Sequence, residues 1–232
     1  MGGGAERILT YVAVGSALVT SIALVHRELR ASKDSGRVAS VDSRYVPGWR
    51  TLLPAGREFG PASARIKLLV FSDFECPFCK RFASVADEFA LRYPDDVSVV
   101  FLHFPLSNHR FAIPSARAAE CAGRVSGRFA EMARTLYQYQ DSLGLKSWSE
   151  LGVVAGVGNL AAFDACTRET GPLDAIENGL AAGQVIPVRG TPAVLLNGWY
   201  YSAPPSLEEL VRAAGELLAG KSPYAGLPLL AR

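Results

Sequence analysis

An α/β fold is predicted: a β-α-β unit, then a block of helices, then a β-β-α unit, all behind one apolar N-terminal segment. Three observations carry this. Two short apolar runs, Ile66–Phe71 and Val97–Phe104, bracket a stretch whose apolar residues recur at helical spacing. Residues from about 108 to 183 turn rich in alanine and are punctuated by Gly and Pro. Strand character then returns at 192–196, and Asn197-Gly198 signals a hairpin. With 232 residues, 49% hydrophobic and 20% charged, the chain can bury a sizeable core, which excludes a disordered protein and suits one domain with additions. The 24 Lys and Arg against 22 Asp and Glu leave a formal charge of +2. That balance supplies no basic field for a phosphate backbone and argues against nucleic-acid binding.

After a short tail (1–7), Ile8 to Val25 is an 18-residue run without charge. As a helix it would extend about 27 Å, near the hydrocarbon thickness of a bilayer. A cleaved signal peptide is the alternative, but the residues after Val25 offer no small-x-small site, so an uncleaved single-span anchor is expected. Arg27, Arg30, Lys33, Arg37 and Arg44 follow it, and counted by the positive-inside rule they would hold the large domain in the cytoplasm. Long domains translocate largely regardless of that count, so the orientation stays open. Residues 26–59 are expected to form a stalk or linker.

The first half of the α/β fold is expected over 60–107. Ile66–Phe71 reads as a buried strand, and from Pro77 the residues Phe78, Phe82, Val85 and Phe89 define an amphipathic helix ending before Pro94. Val97–Phe104 is the second buried strand. The helical insertion (108–184) resolves into SARAAECAG, GRFAEMARTLYQYQ, WSELGVVAGV, LAAFDACTRET behind an Asn159 N-cap, and a stretch after Pro172. The second half (185–220) holds the strand at 192–196, its return Trp199–Tyr201, and a helix from Leu207 to about Ala219 opened by a Ser206-x-x-Glu209 capping box. Residues 221–232 are left as a tail.

Cys76 and Cys79 form a C-x-x-C at the start of the first helix, whereas Cys121 and Cys166 stand alone. A zinc site would want a second close pair or histidines at ligand spacing. A redox pair wants its first cysteine at a helix N-terminus, where the dipole and free N–H groups favour a thiolate, and Pro77 suits the first helical turn. The thiolate then exchanges with a substrate disulfide and the second cysteine resolves the intermediate.

The segment Phe71-Ser72-Asp73-Phe74-Glu75-Cys76-Pro77-Phe78-Cys79 resembles the active site of DsbA-like thiol–disulfide oxidoreductases, and Arg189-Gly190-Thr191-Pro192 resembles their cis-proline loop. The resemblance runs from about Gly60 to Leu218. It implies a thioredoxin fold with an inserted α-helical domain, in a membrane-anchored member of the family. By this resemblance Cys76 is the nucleophile and Cys79 the resolving thiol, Pro77 and Phe78 form the active-site loop, and Thr191 presents backbone groups to substrate ahead of a cis Pro192. A trans bond in a strand-initiating loop is the alternative at Thr191-Pro192. Anchored relatives also imply a structural Cys121–Cys166 disulfide, against the alternative of two buried free thiols.

Two departures matter. The buried acid that such proteins carry six residues before the first cysteine is replaced by Val70, which leaves the proton acceptor of Cys79 unassigned. Asp73 or Glu75 could substitute, although solvent-facing or capping roles suit both better. Phe78 stands where a thiolate-stabilising His is usual, so Cys76 need not be as acidic. Among the histidines, His26 borders the membrane segment, His103 reads as a core residue, and His109 as ordering the start of the insertion.

The function implied is an extracytoplasmic, periplasmic-side oxidase that gives disulfides to exported proteins. No cofactor is expected beyond the Cys76–Cys79 disulfide. The partners implied are thiol-bearing exported proteins, a quinone-linked membrane reoxidant of the DsbB or VKOR kind, and the bilayer through residues 8–25. A reductase or isomerase of the same fold, or a non-catalytic thioredoxin-like binding module, is the competing reading.

Overall fold

The computed structural model describes residues 43–186 and 188–224. The expected anchor (8–25), His26 and the first part of the linker lie outside these residues. Among the described residues, no helix is long and apolar enough to cross a membrane.

Six strands form one sheet: β1 (Ser43–Tyr45), β2 (Arg57–Phe59), β3 (Ile66–Ser72), β4 (Val97–His103), β5 (Ala193–Leu196) and β6 (Trp199–Tyr201), in the order β1-β6-β5-β3-β4-β2. Only β3 and β4 run parallel, joined by α1 (Pro77–Arg92) as a β-α-β crossover. The remaining neighbours are antiparallel. The insertion supplies α2 (Ala112–Ser126), α3 (Phe129–Gln138), a 3-10 turn (Gln140–Ser142), α4 (Trp148–Val154), α5 (Leu160–Thr167) and α6 (Asp174–Val185). A final helix, α7 (Leu207–Leu218), follows the β5–β6 hairpin.

Strand periodicity splits the sheet into two working faces. Leu69, Phe71, Val100, Leu102, Ala193 and Leu195 point to one side, against Trp49, Leu52 and Ala182. Val70, Ser72, Val99 and Phe101 point to the other, toward α1 and α3. A second core cluster runs without a break from Phe74, Cys76 and Cys79 into Cys121, Met132, Leu136 and Phe163 of the insertion. The insertion therefore shares a core with the C-x-x-C.

The linker expectation fails over 43–59. Those residues form β1, a 3-10 helix (Trp49–Ala55) and β2, which close the two edges of the sheet. Nor is 221–224 a loose tail: Tyr224 packs on Trp199 and Tyr201, with centroids 5.3 and 5.8 Å away. Tyr224 also explains why the Ser206 capping box is only half made. Ser206 accepts from the Glu209 N–H, but the buried Glu209 carboxylate accepts from the Tyr224 hydroxyl at 3.0 Å. A complete capping box opens α4 instead, between Ser147 and Glu150.

Candidate active site

Cys76 occupies the N-cap position of α1 and Pro77 the first helical turn, which sets Cys76 beside the unpaired N–H groups of that turn. Both cysteines are free thiols and both are buried. The Cys76 pKa is lowered to about 5. The main cause is the hydrogen bond from the Cys79 thiol, which outweighs the cost of burial; Thr191 and the Phe78 and Cys79 N–H groups add to it. Burial, and then the adjoining Cys76 sulfur, pushes the Cys79 thiol far up. One sulfur is thus set to be a thiolate at neutral pH while the other keeps its proton.

The Thr191–Pro192 peptide is cis and brings the Thr191 carbonyl to 3.2 Å from the Cys76 sulfur. Beside it lies a hollow of about 240 Å³, lined by Phe78, Arg189, Pro192, Tyr200 and Ser202 among others. Phe78 is 58% exposed, and the Arg81 guanidinium sits 4.5 Å from its ring centroid. An exposed aromatic rim therefore stands where the sequence comparison put a histidine elsewhere.

Of the two roles expected for Asp73, solvent-facing or capping, the structure shows the second. It is 2% exposed, and its carboxylate accepts from the N–H groups of Glu75 (2.8 Å) and Leu106 (2.9 Å), with His109 Nδ1 at 2.7 Å. Its backbone N–H points to the Cys79 sulfur at 3.5 Å. Glu75 accepts from the Phe111 N–H, fastening the active-site turn to the insertion. His109 thereby bears on the active-site turn through Asp73. His103 is buried and lies 3.0 Å from Glu120, and Arg57 pairs with both oxygens of that carboxylate. Burial opposes ionisation of Glu120, but Arg57 and His103 outweigh it and hold its pKa down to about 2.

Sequence reasoning missed Gln140. Its buried amide donates to the carbonyls of Phe74 (2.7 Å) and Cys76 (3.0 Å), clamping the turn from the insertion. Nothing in the residues around Gln140 signals that contact, because the fold brings it there from more than 60 positions away. Ser72, whose hydroxyl lies 2.7 Å from that of Tyr137 behind Cys79, was likewise passed over. Cys121 of α2 and Cys166 of α5 are joined by a disulfide, with Cα atoms 5.8 Å apart. Among the described residues, no group of three or more His, Cys, Asp or Glu is placed to hold a metal ion.

A family model described as thioredoxin matches residues 53–214. A curated relative, the Na(+)/H(+) antiporter NhaA 1 of Mycolicibacterium vanbaalenii, is 32% identical over 157 residues, covering 66% of this chain and 25% of its own length. The chain thus spans about a quarter of the length of the curated relatives it matches. Among solved structures, the catalytic domain of Proteus mirabilis ScsC aligns with a TM-score of 0.62 at 21% identity, over 73% of this chain and 94% of that one. The thiol-disulfide exchange protein alpha-DsbA2 from Wolbachia pipientis aligns with a TM-score of 0.64 at 13% identity, over 73% and 91%. Both likenesses are likenesses of fold.

Proposed function

Because the chain belongs to the thioredoxin family, we propose that it is a thiol–disulfide oxidoreductase that passes the Cys76–Cys79 disulfide to exported proteins on the extracytoplasmic side of a membrane. The observation that carries this is the split between the two thiols, a Cys76 brought down to about 5 against a buried Cys79 pushed upward. A substrate thiolate attacks the Cys76 sulfur of the disulfide, and the bonding electrons leave on Cys79, which takes a proton. A second substrate thiolate then attacks its partner sulfur in the mixed disulfide and expels Cys76. A thiol of low pKa leaves readily, so a Cys76 near 5 favours giving the disulfide away.

In this reading the cis Pro192 and the Thr191 backbone align an extended substrate strand, and Phe78 offers it an apolar contact. The Cys121–Cys166 bond supports an oxidising compartment, where such bonds persist. Residues 8–25 anchor the domain, and a quinone-linked membrane protein reoxidises it. Sodium–proton exchange, named for the curated relatives, is not carried over from a match to a quarter of their length.

The test mixes the oxidised full-length chain with a reduced, unfolded dithiol protein. Transfer of one disulfide per chain, lost in Cys76→Ser, supports the reading. Substrate thiols left untouched by the wild type would overturn it.

A further inference from the structure

We infer that the hydroxyls of Ser72 and Tyr137 carry the proton of Cys79 to and from an apolar groove behind the active site. The inference rests on the redox reading above and supplies the proton route that Val70 leaves unassigned. Cys79 must gain a proton each time it leaves Cys76 and lose one each time it attacks. The two acids of the active-site turn are committed: Asp73 to two backbone N–H groups and His109, Glu75 to the Phe111 N–H.

Ser72 is different. It is the last residue of β3, two positions past Val70 and hence on the same face, and it is 3% exposed. A hydroxyl ending the apolar run IKLLVF is costly there unless it is hydrogen-bonded. Its partner is the Tyr137 hydroxyl at 2.7 Å, with either oxygen able to donate. Ser72 and Cys79 line the same groove, and the Ser72 hydroxyl favours the thiolate form of that sulfur. Tyr137 is fixed by its ring against Phe74, with centroids 5.0 Å apart. Burial, with the nearby Cys79 sulfur adding to it, pushes its phenol well above the ordinary range, so it conducts as a neutral hydroxyl and never as a phenolate.

Cys79, Ser72 and Tyr137 all line one groove of about 460 Å³ between α1, α3 and β4. The groove is otherwise apolar except for Asp87 and Arg134, both exposed and 4.0 Å apart. When Cys79 leaves as a thiolate it takes the Ser72 hydroxyl proton, Ser72 takes the Tyr137 proton, and Tyr137 takes one from water in the groove, which departs as hydroxide. When Cys79 attacks a mixed disulfide, each proton moves one step back. No proton is gained or lost by the pair, and no electron passes through it.

The experiment mixes the reduced full-length protein with excess oxidised glutathione, quenches with acid at set times, and follows the Cys76–glutathione mixed disulfide by mass between pH 6 and 10. Its formation reports Cys76; its decay, with release of glutathione, reports Cys79. Expected for Ser72→Ala and for Tyr137→Phe is unchanged formation, with decay slowed at least about tenfold at pH 7. The deficit should close toward pH 10, where hydroxide removes the Cys79 proton directly. The double variant should decay no more slowly than the slower single one, because the two hydroxyls act as one path. Decay at the wild-type rate in both variants, or a deficit equal at every pH, would overturn the relay. If the wild type itself forms no mixed disulfide, the redox reading fails instead. Tyr137→Phe keeps its ring packing, so it carries the test should Ser72→Ala fold poorly.

Discussion

The backbone N–H of Asp73 donates to the Cys79 sulfur at 3.5 Å, while the carboxylate of the same residue is taken up by Glu75, Leu106 and His109. Cys79 therefore meets a donor from Asp73, whose carboxyl group is engaged elsewhere. That donor favours the thiolate, but burial, and then the adjoining Cys76 sulfur, outweigh it and leave Cys79 protonated and able to donate to Cys76, whose own pKa is lowered to about 5. The asymmetry of the pair is built from this turn and from the insertion that holds it.

Alkylation of the reduced protein should follow that asymmetry. Iodoacetamide is expected to modify Cys76 with a midpoint near pH 5 and to leave Cys79 unmodified at neutral pH. The lowered pKa also stabilises the folded reduced form. That contribution is fully present above the unfolded-chain value of about 8.5 and is lost as pH falls through the folded value. The melting temperature of reduced minus oxidised protein should thus rise between pH 5 and neutrality. A flat difference, with a midpoint near an ordinary thiol, would contradict the assignment.

Gln140→Ala removes the side-chain donor from the Phe74 and Cys76 carbonyls. The expected loss is about 1–3 kcal/mol in denaturant unfolding. Because the Cys76 turn loosens, the midpoint of Cys76 alkylation should move upward at the same time. Loss of stability without that movement would make Gln140 a packing residue only.

Residues 66–104 were legible in the sequence because apolar runs, helical spacing and bounding prolines all agree there; β3, α1 and β4 span 66–72, 77–92 and 97–103. The hairpin was legible from Asn197-Gly198, whose φ angles of 46° and 90° need those two residue types. By contrast β1 (SRY) and β2 (REF) are three-residue edge strands with no periodic signal, and their partners β6 and β4 lie far away in sequence. At the site, Cys76, Cys79 and the Thr191-Pro192 pair could be picked out because a spacing and a motif mark them. The same turn marks Asp73 as a candidate acid or cap, whereas Gln140, Ser72 and Tyr137 could not be picked out, since their roles come from the insertion folding over the turn.

The Cys121–Cys166 bond links α2 to α5 within the core that reaches the active site. Replacing both cysteines by alanine should cost up to about 4 kcal/mol in the chain-entropy model for a loop of this length. Equilibrium unfolding would check it, and Cys76 alkylation should keep its midpoint.

Gly179 is where α6 crosses β4: a Cβ there would overlap the carbonyl oxygen of His103. Gly179→Ala should therefore destabilise by about 1–3 kcal/mol although alanine is the better helix former. A gain in thermal stability would mean that α6 does not press on the strand as described.

The most direct test of the Cys76–Cys79 couple is its reduction potential, measured on the full-length chain equilibrated in glutathione buffers with thiols trapped by alkylation. An oxidase with Cys76 held near 5 should give a value between about −120 and −180 mV, because the reduced form is favoured. A value near about −270 mV would make the protein a reductant that needs an electron supply, and would contradict the proposed direction of exchange.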